Sequence, residues 1–143
     1  MRSFTTENLG RMVFIHLGKG ELLLENIEKE LQRLNIQSGV LVSGIGSLRK
    51  MVMHVIASTN DNPDNEFLTV EAPLEISSIQ GLIVNGEPHL HITCSEPGNV
   101  YIGHLEPGCE VQYLVEIGIL EVKDLDLERK ADEFGISYLD MKS

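Results

Sequence analysis

The stretch from 86 to 108 reads GEPHLHITCSEPGNVYIGHLEPG, and its pattern decides the fold of the surrounding chain. Two runs of alternating residues, PHLHITCS and VYIGHL, flank Glu96-Pro97-Gly98-Asn99, a group of turn-forming residues. That arrangement predicts a β-hairpin. Successive side chains of a strand point to opposite faces. Leu90, Ile92 and Cys94 therefore fall on one face, and His89, His91, Thr93 and Ser95 on the other. The apolar set is expected to join the core, with Cys94 as a buried thiol rather than a nucleophile.

The same hairpin carries three of the five histidines within sixteen positions. A four-residue loop at 96–99 places Ser95 opposite Val100, which sets His91 across from His104 and His89 across from Glu106. Cross-strand neighbours on one face have Cβ atoms about 4.5–5.5 Å apart. Three imidazoles and a carboxylate then share one patch. This is the ligand inventory of a zinc-type site: His89, His91 and His104 would hold zinc or another divalent transition metal, with a fourth position for water, Glu106 or a neighbouring subunit. A register slip of one residue would send His104 to the opposite face. The competing reading is a structural cluster of imidazoles that binds nothing.

Outward from the hairpin, the chain reads as strands around one helix. RMVFIHLGKGE (11–21) is a first strand ending in a turn. ELLLENIEKELQRLNI (21–36) places Leu24, Ile27, Leu31 and Leu34 on one face at spacings of three and four, an amphipathic helix. GVLVSGIGSL and MVMHVIAS (51–58) are two further strands, and TNDNPDNE (59–66) is a polar loop. FLTVEA, EISSIQGLIV and EVQYLVEIGILEV complete the set, and DLERKADEFGISYLD (126–140) is expected to form a short helix and a closing segment. The expected class is α+β, a largely antiparallel sheet with one main amphipathic helix packed on it and a short C-terminal helix. Its 143 residues are expected to form a single domain, 1–143, with a core at about 10–125.

Composition narrows the function. No apolar run approaches the ~20 residues of a spanning helix, and MRSFTTENLGR has no apolar leader segment, so no membrane role is expected. Two cysteines outside any CxxC motif fit free thiols in a reducing cytoplasm. The net charge of -11 and the lack of a Lys/Arg stripe oppose binding to a phosphate backbone, making nucleic acid an unfavoured partner. SGIGSLR (43–49) lacks the third glycine of a dinucleotide fingerprint and the Gly-Lys-Ser/Thr of a P-loop, so Gly44-x-Gly46 reads as a bend or bulge. His16 and His54 sit in apolar strand runs and read as structural, hydrogen-bonded histidines.

SGIGSL, LEISSIQG and HLHITCSEPGNVYIGHLEPGCEVQYLVEIGI, in that order, make the chain resemble the PPC (plant and prokaryote conserved) domain, stand-alone prokaryotic type. The resemblance covers about positions 10 to 125. It implies an α+β fold, a homotrimer, and metal binding through the residues matching the family's histidines: His89, His91 and His104. Plant relatives carry the domain after DNA-binding AT-hooks. No Arg-Gly-Arg-Pro core occurs here, and the plant partner-recruiting Gly-Arg-Phe-Glu-Ile-Leu is Ala72-Pro73-Leu74-Glu75-Ile76-Ser77. Three functions follow as expectations. One is a trimeric metal-binding module with a ligand-binding or regulatory role and a small molecule as possible partner, outside known catalysis. The second is a small metal-dependent enzyme with Glu106, Glu75 or Glu116 as base. The third is the DNA-binding protein of the family label.

Overall fold

The computed structural model describes residues 1–143. In chain order the elements are β1 (Leu9–Gly18), α1 (Leu23–Leu34), β2 (Ser38–Ile56), β3 (Asn65–Val70), β4 (Leu74–Val84), β5 (Glu87–Glu96), β6 (Asn99–Leu105), β7 (Glu110–Val122), β8 (Leu127–Ala131) and β9 (Ser137–Met141). Seven strands form one antiparallel sheet in the order β1-β7-β2-β4-β5-β6, with β3 on β2, while β8 and β9 pair only with each other. β6 also returns to β2 through Met53↔Leu105 and His54↔His104. The sheet therefore curls back on itself.

The α+β expectation is corrected by this architecture. Strands take 61% of the chain and helix 8%, a β-rich fold with one helix. That helix is real but shorter than the amphipathic stretch predicts. It stops at Leu34 because Asn35 adopts a left-handed conformation (φ 52°, ψ 46°) and its N–H closes the last turn onto Gln32 and Leu31. At its start, Leu22 bridges to Glu110 and is drawn into the sheet. Leu23, Leu24, Ile27 and Leu31 are buried in the 23-residue core with Leu90, Ile92 and Cys94.

The expected C-terminal helix is instead the β8–β9 hairpin. Asp132 makes the turn: its carboxylate accepts from the backbone N–H groups of Phe134 and Ile136 at 2.9 Å each. This local side-chain bond competes with helix at that point in the chain. Leu127 and Arg129, paired with Met141 and Leu139, then alternate at the period of a strand.

The two strands expected over 39–58 are one 19-residue strand, β2, with register shifts at Leu41/Ser43, Gly46/Leu48 and Leu48/Lys50. Gly46 sits at φ 145°, where a Cβ would stand 2.2 Å from the Leu114 carbonyl oxygen. The Gly-x-Gly is thus a bulge between β4 and β7, with no helix N-terminus following it for a phosphate. Bending β2 at these irregularities lets its first half pair with β4 and its second half with β3 and β6.

Candidate metal centre

The β5–β6 hairpin has the expected register. Ser95 faces Val100 and His91 faces His104, with Glu96↔Asn99 closing the pairing and leaving Pro97-Gly98 as the turn tip. Leu90, Ile92 and Cys94 are buried behind it. Cys94 Sγ lies 3.1 Å from Met51 Sδ, and burial pushes its thiol up to about 11. The pairing of His89 with Glu106 does not form. His104 and Leu105 turn to pair with β2, β6 ends there, and the Glu106 N–H donates to the Val52 carbonyl at 3.1 Å.

Closing the sheet brings a fourth imidazole to the patch. His54 stacks on His104 with ring centroids 4.4 Å apart and planes 23° apart. His89 lies 4.8 Å and His91 5.6 Å from the His104 ring, and 5.5 Å from each other. His104 is therefore the hub of the cluster, touching all three other rings. Glu106 Oε1 accepts from His54 Nδ1 at 2.5 Å and stands 3.3 Å from His104 Nδ1. That bond leaves the His54 Nε2 lone pair free when the ring is neutral. His104 Nδ1 is buried and makes no hydrogen bond, although Glu106 Oε1 stands 3.3 Å away.

One donor atom each from His54, His104 and Glu106 lies within 4.8 Å of the others, a group that could hold a metal ion. His89 and His91 meet the same hub from the opposite side. Burial is the main cause that lowers the proton affinity of both His89 and His104. The Arg129 charge adds to it at His89; at His104 the His54 ring adds to it and Glu106 opposes it. Both shifts favour the neutral imidazole, the form that ligates metals.

His54 reads from the sequence as a structural histidine, and the structure places it in the cluster instead. In MVMHVIAS the buried Met51 and Met53 place His54 on the opposite face, but its pairing with β6 spans fifty residues and left no local signal. Glu106 arrives by leaving the hairpin rather than by pairing across it. Glu75 and Glu116 are elsewhere: Glu75 pairs with Ser95, four residues along β5 from His91, and Glu116 lies on β7 beside His16 at 3.9 Å. His16 is exposed and away from the cluster.

A closed antiparallel sheet with histidines gathered on one face defines the class of protein, and comparison with known sequences defines the family. The model of the Plants and Prokaryotes Conserved (PCC) domain, the PPC domain above, matches residues 4–123. The chain belongs to that family. The bifunctional protein GlmU of Synechococcus sp. (strain JA-2-3B'a(2-13)) is 27% identical over 89% of the chain, which spans only 19% of that relative's length. A metal-containing protein from Archaeoglobus fulgidus superposes with a TM-score of 0.82 at 27% identity, covering 99% of this chain and 100% of that one. A PPC protein from Pyrococcus horikoshii gives 0.81 at 26%, covering 98% and 99%. A Bacteroides thetaiotaomicron protein provisionally designated DNA-binding shares the fold, with a TM-score of 0.79 at 18% identity over 94% of this chain and 95% of that one. No helix is long and apolar enough to cross a membrane.

Proposed function

We propose that the chain is a cytoplasmic, single-domain, homotrimeric module that holds one divalent transition metal, zinc by donor type, in the cluster centred on His104. The observation that carries this reading is the convergence of three other imidazoles and the Glu106 carboxylate on His104, whose buried Nδ1 makes no hydrogen bond. An unpartnered buried polar atom is costly and calls for a partner. His89, His91 and His104 are the proposed ligands. Their ring centres lie 4.8, 5.5 and 5.6 Å apart, near enough for the three rings to turn toward one ion. His54 acts behind them, stacked on the His104 ring and itself held by the Glu106 carboxylate. The A. fulgidus relative, described as metal-containing, supports the same reading.

Elemental analysis of protein purified without a histidine tag tests the proposal. One equivalent of metal per chain is expected, and metal-free protein that takes up none on titration would contradict it. A second reading, a metal-dependent hydrolase, is favoured by the position of Glu106 beside two of the histidines. A bound metal would supply an acidified water there, and Glu106 is the carboxylate placed to take a proton. Turnover of an ester or phosphoester that is lost in Glu106→Gln while metal is retained would select that reading over the binding module.

A further inference from the structure

We propose that the His104-centred site takes a small-molecule oxyanion, a carboxylate or a phosphoryl group, and that Arg129 of the β8–β9 hairpin is the residue that receives it. The inference rests on the metal-binding reading above and adds the ligand class. It begins from the arginines. Arg11, Arg33 and Arg49 are each held by a carboxylate, and Arg2 lies over the Tyr138 ring at 4.2 Å. Arg129 alone makes no ion pair, hydrogen bond or ring contact, in a chain with twice as many acidic as basic residues. It is also half-buried. A guanidinium partly withdrawn from water without a partner is unfavourable unless something else uses it.

Its position says what could use it. Leu127 and Arg129 are two apart on β8 and share a face, and Leu139 is the cross-strand partner of Arg129. Leu127 and Leu139 line a cavity of about 1020 Å³ together with Leu82. Leu82 is in turn the cross-strand partner of His89. The hairpin therefore lays its Arg129 face over the end of β5 where the histidine cluster begins. Glu87, two residues before His89 on β5, acts on the Arg129 charge without pairing to it. A planar guanidinium presents paired N–H donors that match carboxylate and phosphate oxygens. A metal ion on the histidines would offer the same anion its second anchor.

The test uses zinc-loaded, tag-free protein, with inorganic phosphate and acetate as probes followed by calorimetry. Cobalt-substituted protein reports by its visible spectrum whether the anion reaches the metal. At least one probe is expected to bind and to perturb the cobalt spectrum. Arg129→Gln should weaken that binding about tenfold or more, Arg129→Lys less, with metal content unchanged in both. Preference for one probe assigns the ligand as carboxylate or phosphoryl. Failure of both probes on metal-loaded protein, or equal binding by Arg129→Gln, overturns the inference while leaving the metal site standing. Absence of metal in the elemental analysis removes both.

Discussion

His104 shows how much one residue's position depends on two independent pairings. Its placement opposite His91 was legible in the alternation of HLHITCS and the turn at 96–99, because a hairpin's register follows from its loop. Its contact with His54 was not, since β2 and β6 meet only when the sheet closes. A second residue-scale device pins the edge strand. Glu121 is buried on β7, where Arg11 grips both carboxylate oxygens at 2.8 and 2.9 Å and adds its backbone N–H at 3.1 Å. The Arg11 guanidinium holds this carboxyl down to about 2, from an ordinary value of 4.5. A depressed carboxyl stabilises the fold above its unfolded pKa, and that contribution is lost as pH falls through the folded one. Glu121→Gln should thus cost about 1–3 kcal/mol at neutral pH. The deficit should shrink as pH falls from 4.5 toward 2, as read by denaturant unfolding of variant and parent.

At the scale of elements, the strands were legible by period two and the helix by its 3–4 spacing, down to Leu24, Ile27 and Leu31 on the buried face. The C-terminal segment reads as helix because its residues, LERKADEF, have ordinary helix propensities, while the Asp132 turn that overrides them acts through backbone bonds. The extent of β2 was also hidden, because a bulge leaves alternation broken without ending the strand. Two glycines with positive φ, Gly46 and Gly98, differ in what surrounds them. A side chain at Gly46 would meet the Leu114 carbonyl and the Val115 backbone, whereas one at Gly98 meets nothing within 4 Å. Gly98→Ala should cost about 1 kcal/mol, the conformational penalty alone. Gly46→Ala should cost at least about 2 kcal/mol more and broaden amide signals along β2 and β7. Equal losses in thermal or denaturant unfolding would mean that β2 is not held at that bulge.

The whole molecule leaves one sheet face uncovered. Phe14 is 81% exposed, and Met12, Val42 and Ile45 are also exposed along β1 and β2. Met12, Phe14 and Ile45 line a shallow cavity of about 400 Å³ with Glu116 and His16. β1 pairs only with β7, so its outer edge is free. Under the proposed trimer this face is the contact between copies. Light scattering coupled to size exclusion should give three times 15.9 kDa for the native chain and a smaller species for Phe14→Glu. A native monomer would contradict the assembly. The charge of -11, with five of the eleven Lys and Arg side chains already paired to carboxylates, also argues against the DNA-binding reading. Duplex DNA is expected not to shift at about 150 mM salt, and submicromolar, steeply salt-dependent binding would restore that reading.

Whether the cluster holds a metal is decided by a zinc titration of tag-free protein at about pH 7.5, above the ordinary histidine pKa, comparing the native chain with single alanine variants. The native chain should bind one equivalent with a submicromolar Kd that weakens in acid. Because burial lowers the proton affinity of His89 and His104, the weakening should set in below the ordinary histidine value of about 6.5. His104→Ala should abolish that binding, His89→Ala and His91→Ala should lose most of it, and His16→Ala should leave it intact. His54→Ala and Glu106→Gln should weaken it by about 10- to 100-fold, as expected of groups that orient ligands. A Kd weaker than micromolar for the native chain, or equal binding by His104→Ala, would mean that the four histidines pack together for structure alone.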